Sequence, residues 1–170
     1  MIEKNPGKGA HKAVKEGIKS YYHAALAMLK GAIEKCPDAL WVDTNYVNPF
    51  WRVAYHTVIY TYFYLSPTEG DFVPWEGHKD GMQLLGDEAP DADPYSKADL
   101  LAYLDLCLAR MESQMDAVDL EAASGFDWLP FDKLALQLYN IRHIQQHTGE
   151  LCERLGAHGE IEVAWVGRKG

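Results

Sequence analysis

Cysteine is scarce in this chain: three in 170 residues, Cys36, Cys107 and Cys152, widely separated and in no Cys-x-x-Cys arrangement. An odd, scattered set excludes a disulfide scaffold and a thiolate metal knuckle, and predicts reduced thiols that pack as small hydrophobes. Positive charge is short as well, with 16 basic against 25 acidic residues and a net charge of -9. A phosphate backbone needs clustered Lys and Arg, so nucleic acid is excluded as a partner. Long hydrophobic runs are missing too. The longest near-apolar stretch, Val53 to Leu65, falls short of the roughly 20 residues of a membrane span, and MIEKNPGKGAHKAVKEG has no apolar core of signal-peptide length. These absences predict a soluble, cytoplasmic protein with no membrane partner. At 19.2 kDa the chain has the size of one domain, residues 1–170, able to bury a full core without staples.

What is present is helical periodicity. From about His11 to Cys36 the stripe Val14, Ile18, Tyr21, Ala25, Met28/Leu29 and Ala32 predicts a first helix, stopped by Pro37. A second helix is expected from about Pro49 to Leu65, apolar nearly all round and therefore the most buried, with Ser66-Pro67 as its stop. The third begins near Ser96, whose spacing to Asp99 fits a capping box. It carries Leu100, Leu104, Cys107, Met111 and Val118 and breaks at Ser124-Gly125. The fourth starts after Pro130 and runs to about Leu155 with Gly156 as its cap, on the stripe Leu134, Leu138, Ile141, Ile144, Leu151 and Leu155. The closing IEVAWV is expected only as an extended tail.

About thirty residues rich in Pro, Gly and Asp, Ser66 to Tyr95, separate the second and third helices. A connection that long marks a crossover or a functional loop. The expected architecture is an all-α four-helix bundle in which this crossover leaves helices two and three parallel and helices two and four antiparallel.

That topology matters because of the histidines. His143 and His147 lie four residues apart on the fourth helix and so share a face. His56 lies in the apolar second helix, about 10 Å along it at ~1.5 Å rise, and His147 and His143 lie about 12 and 18 Å from the end of theirs. The three come level when those helices are antiparallel. Among seven histidines an i, i+4 pair arises readily by chance, so His56 carries the weight. Its neighbours Val53, Ile59, Tyr60 and Phe63 would exclude water, so its ring needs either a hydrogen-bond acceptor or a metal ion, and the pattern is equally compatible with both. His11, His23, His78 and His158 are expected to be solvated.

FWRVAYHTVIYTYFYL in the second helix and LYNIRHIQQHTGELCERL in the fourth, with the long loop and leucine-rich third helix between them, closely resemble the DinB/YfiT-like superfamily of metal-binding four-helix bundles. The resemblance covers almost the whole chain. It implies a divalent ion, commonly nickel or zinc, held by His56, His143 and His147. It further implies an activity among those of related bundles, which include thiol-dependent S-transferases, a thiol-dependent isomerase and metal-dependent hydrolases.

Three neutral imidazoles with a vacant fourth position make the ligand set of a catalytic site, unlike the closed set of a structural one. Such a site acidifies water for hydrolysis, or a low-molecular-weight thiol for transfer to an electrophile. Glu150, one turn beyond His147, is the candidate base or the acceptor for a ligand's far nitrogen, and Asn140, one turn before His143, is the other candidate. A small-molecule substrate would be lined by the 66–95 loop, which offers Phe72, Trp75 and His78. The alternative is a non-catalytic bundle, stabilised by metal or by a histidine network, that acts as a structural or interaction protein. The aromatic content is also compatible with a homodimer, although no exposed seam stands out.

Overall fold

In the computed structural model residues 6–168 are described, so the opening MIEKN of the N-terminal segment read above, and the last two residues, lie outside it. The elements are α1 (Pro6–Lys35), a one-turn α2 (Asp38–Trp41), α3 (Phe50–Tyr64), α4 (Lys97–Ala117) and α5 (Lys133–Gly159). Among the described residues there is no strand, only an isolated bridge between Ala123 and Asp132. The four long helices form a closed ring in the order α1, α5, α3, α4.

Side-chain rungs fix their directions. Asn48 meets Arg154, His56 meets His143 and His147, Thr61 meets Asn140 and Tyr64 meets Tyr139, so α3 and α5 run antiparallel. Tyr55 against Tyr103 and Tyr62 against Arg110 make α3 and α4 parallel. Lys19 reaches Asp116, His23 reaches Glu112 and Lys97 reaches the Cys36 carbonyl, so α1 and α4 are antiparallel. The 66–95 connection is therefore the crossover that the histidine levels demanded, and the chain is an all-α four-helix bundle.

α3 is buried almost all round, from Phe50 through Tyr55 and Ile59 to Tyr64. Its two threonines hide their hydroxyls by donating to the carbonyl one turn back, Thr57 to Val53 and Thr61 to Thr57, each at 2.7 Å. Ser96 and Asp99 form the expected capping box on α4. Cys36 and Cys107 are buried free thiols; burial pushes Cys36 up to about 12 and Cys107 up as well, which leaves both protonated and inert.

Four sequence expectations are corrected. In α1 the inward tyrosine is Tyr22, fully buried, and Tyr21 is exposed. Tyr22 shares its face with Leu26, Leu29 and Ile33, and these outvote the phase through Val14, which is itself exposed. The third helix ends at Ala117, because Val118 adopts extended backbone and the segment after it folds back to bury Leu120, Phe126 and Leu129. Leu138 is exposed, because the inward face of α5 is the polar-rich one, with Gln137, Asn140, His147, Thr148 and Arg154 buried beside Leu136, Ile144 and Leu151. That helix also runs through Gly156 to Gly159 and ends on Glu160, in the left-handed region at φ 56°.

The crossover loop has two short 3-10 turns, Glu69–Asp71 and Gly86–Glu88, and is held by its aromatic side chains and by side chains that bond its backbone, among them Arg52 to the Pro90 carbonyl and Trp41 to the Tyr95 carbonyl. Tyr95 stacks on Tyr55 at 4.4 Å and Trp75 on Tyr103 at 5.2 Å, while the Tyr95 hydroxyl donates to the Gly77 carbonyl and accepts from the Lys79 amide. Past α5 the tail lies along α1, with Lys35 donating to the Glu162 carbonyl at 2.6 Å.

Candidate metal centre

The antiparallel α3–α5 pair brings His56, His143 and His147 together at mid-bundle. One ring nitrogen from each lies within 4.8 Å of the others, and the ring centroids are 4.8 to 5.1 Å apart. A tetrahedral ion with bonds of about 2.0–2.1 Å spaces its donors by about 3.4 Å, so rotations moving the rings by roughly an ångström complete the fit. His147 is buried, whereas His56 and His143 are half-buried.

Each ring is held from behind in a different way. His56 Nδ1 lies 2.7 Å from the Gln83 carbonyl oxygen; a carbonyl only accepts, so Nδ1 carries the proton and the lone pair sits on Nε2. That Nε2 is 3.1 Å from His143 Nε2. His147 Nδ1 is 3.3 Å from a Glu150 oxygen; the other Glu150 oxygen accepts from Arg154, and Arg154 in turn donates to the Asn48 carbonyl at 2.7 Å. Hydrogen-bonded partners on the far nitrogen fix tautomer and orientation where imidazoles bind metal. His143 Nδ1 is buried with no partner among the described residues. Burial first, and the neighbouring imidazoles second, hold His143 down at about 3; burial also holds His56 down, to about 4, against the opposing pull of Gln83. Both rings are therefore neutral at physiological pH, the state in which an imidazole can donate a lone pair.

The same hydrogen bonds form a circuit. The Asn48 side chain accepts from the Gly86 amide at 2.8 Å, so one residue ties the crossover loop, three positions beyond Gln83, to the Arg154–Glu150–His147 arm. Gly86 has φ 74°, a conformation glycine adopts without strain. Tyr60 roofs the site, its ring 4.7 Å from His56 and 5.8 Å from His143.

Of the other residues singled out by sequence, Glu150 stands beside His147 as described. Asn140 is fully buried and donates to the Thr61 carbonyl at 3.1 Å, locking α5 to α3 one turn from His143. One histidine expected to be solvated is not: His78 is largely buried, 2.6 Å from the Tyr55 hydroxyl. His23 stays partly exposed, 2.5 Å from Glu112 across the α1–α4 seam. The sequence reading missed Gln83, Asn48 and Arg154. Only Arg154 left a signal, its i+4 spacing from Glu150; the other two act through the folding of a loop, and Gln83 acts on His56 through a backbone atom.

The sequence profile of the DinB superfamily matches residues 21–151, a span that takes in the crossover and all three histidines. The chain belongs to the DinB superfamily. Among curated proteins and solved structures there is no match to it. Membership in the DinB superfamily agrees with the all-helical bundle and with a three-histidine group able to hold an ion. No helix among the described residues is long and apolar enough to cross a membrane.

Proposed function

We propose that this DinB-like protein is a divalent-metal-dependent enzyme acting on a small molecule in the cytoplasm, with His56, His143 and His147 as the ligands of one open site. The observation that carries the reading is the convergence of three imidazoles of which two are propped by the Gln83 carbonyl and by Glu150. The hydrophobic core runs from Ile18 and Tyr22 to Leu151 and Leu155, large enough to support a bundle that folds without an ion. That favours an enzyme over a metal-stabilised structural module.

Zinc or nickel is the ion of the family the chain resembles, and such an ion supplies Lewis acidity toward water or a low-molecular-weight thiol. The protein's own groups do the rest. Glu150 fixes the His147 ring and is the proposed base, while Arg154 donates to its other oxygen and holds the carboxylate in place. Asn140 acts by position, holding the register of α5 on α3. Tyr60 and the crossover loop keep bulk water from the imidazoles. Two reactions fit this donor set, thiol transfer to an electrophile and hydrolysis.

Zinc- or nickel-loaded protein incubated with a small thiol and an electrophile, in parallel with ester and amide substrates, decides between them. Turnover in one series, abolished by chelation and by His147→Ala, is the expected result. Metal-loaded protein inert in every series would contradict the enzyme reading.

A further inference from the structure

Three residues that the apolar periodicity of α1 and α5 turns inward, Val14, Tyr21 and Leu138, stand outward, and they stand together. The helix directions given above make α1 and α5 parallel neighbours, and the Tyr22 hydroxyl donates to Gln137 at 2.8 Å between them. Tyr21 and Leu138, each next in sequence to one of that pair, are therefore level, and they flank the outer side of the groove between the two helices. Tyr21 is 58% exposed, Leu138 57% and Val14 40%. Along this groove α1 carries Val14, Gly17, Tyr21, Ala24, Met28 and Gly31, and α5 carries Leu134, Leu138, Ile141, Gln145 and Cys152. The steps of three and four residues are those of a helix–helix seam, and the seam holds no charge. The cations of α1 turn the other way, Lys15 and Lys19 to Asp116 and Lys30 to Asp105, while Lys133 and Arg154 of α5 are buried inside the bundle. Ala24 and Thr148 are buried at the floor, so the rims are what remains uncovered.

We propose that a second copy of this chain covers the α1–α5 face, the two related by a two-fold axis so that each face meets its twin. Area, charge and the tail all support that occupant. Helices of 30 and 27 residues are about 40 Å long at ~1.5 Å rise and, set about 10 Å apart, present a strip of roughly 800 Å², which is what each partner buries in an interface of standard size. Two molecules of net charge -9 repel each other, and a face without carboxylates is where that repulsion is weakest. A charged partner would find no counter-charge on it. The chain's own tail is already seated elsewhere on α1, with Val163 against Gly31 and the Glu162 carbonyl on Lys35. Symmetric pairing of one uncharged, heptad-spaced face is the usual way such a surface closes. The imidazoles lie on the opposite flank of α5, toward α3, so the dimer leaves them open and forms with or without an ion.

Sedimentation velocity of metal-free, full-length protein across the micromolar range is expected to give twice the 19.2 kDa of one chain. Replacing both Tyr21 and Leu138 by lysine sets like charges against each other across the seam, and the dissociation constant is expected to rise by at least about a hundredfold. The circular dichroism of that variant stays helical, since both side chains are exposed in the single chain. Val73→Lys is the control. Val73 is exposed beside Phe72, which packs on Tyr62 and Phe63 of α3 on the far side of the bundle, and this variant is expected to stay dimeric. In the unaltered protein, dilution is expected to shift the NMR signals of the Leu138 methyls and to leave those of Val73 in place, a readout that needs no variant. A 19.2 kDa monomer at the highest concentration would overturn the inference and leave the face to another occupant. So would a dimer that survives both lysines, one lost equally in Val73→Lys, or dilution shifts confined to Val73.

Discussion

A histidine becomes a ligand by what stands behind it as much as by what stands before it. His147 has Glu150, and Glu150 is itself clamped by Arg154, so the carboxylate has little freedom to leave the ring. Glu150→Gln keeps the shape and removes the charge that fixes the imidazole; metal affinity is expected to drop about 10–100-fold, measured by competition with a chromophoric chelator. Unchanged affinity would show that the ring is oriented by packing alone. His56 differs, since its prop is a backbone carbonyl that no substitution of Gln83 deletes. At this scale the chain was only half legible. His143 and His147 announce themselves by spacing, and His56 by its apolar surroundings. Gln83 could not be found, because a carbonyl acquires its partner only when the crossover folds. The buried face of α5 was misplaced for a related reason: searching for apolar stripes passes over Gln137, Asn140 and Arg154, which are buried with polar connections to Tyr22 of α1, to Thr61 of α3 and to the Asn48 carbonyl.

Between elements, the polar contacts divide into a solvated seam and an interior clasp. On the α1–α4 seam Lys19 lies 2.6 Å from Asp116 and 3.1 Å from Glu112, and His23 completes the zipper. The hydrogen bond to His23 leads, with Lys19 assisting, in holding the Glu112 carboxyl below its usual value, and Lys19 does the same for Asp116. A carboxyl depressed in the folded state stabilises above its unfolded value of about 4 and loses that contribution as pH falls through the lower folded value. Lys19 is raised by the same partners, so its share is present at neutral pH and fades only in alkali. The melting temperature is therefore expected to fall on acidification below about pH 4.5, and Glu112→Gln is expected to flatten that fall; an identical slope in the variant would remove the seam from the account. The clasp is Asn48. Asn48→Ala frees the Gly86 amide and slackens the loop arm of the circuit, the Arg154 arm resting on the Asn48 backbone carbonyl, so metal affinity should fall by up to about tenfold while Asn48→Asp, which keeps an acceptor oxygen, restores most of it. Equal affinity in the alanine variant would show that the loop is held in place without the Asn48 side chain.

For the molecule as a whole, one topological choice underlies the rest. A bundle with short connections would run α3 and α5 parallel, leaving His56 level with the wrong part of α5. The long crossover reverses that, and in doing so it delivers the Gln83 carbonyl to the back of His56. Loop length and histidine level were both visible in the sequence and jointly pointed to this fold, whereas the one-turn α2 and the early end of α4 left no comparable mark. The most direct test of the central claim is elemental analysis of untagged full-length protein, with circular dichroism on the same samples. One zinc or nickel ion per chain is predicted, lost in His56→Ala and in His143→Ala with the helical signal retained. Intact helical protein that takes up no divalent ion when supplied with either metal, or that keeps the ion without those histidines, would contradict the account.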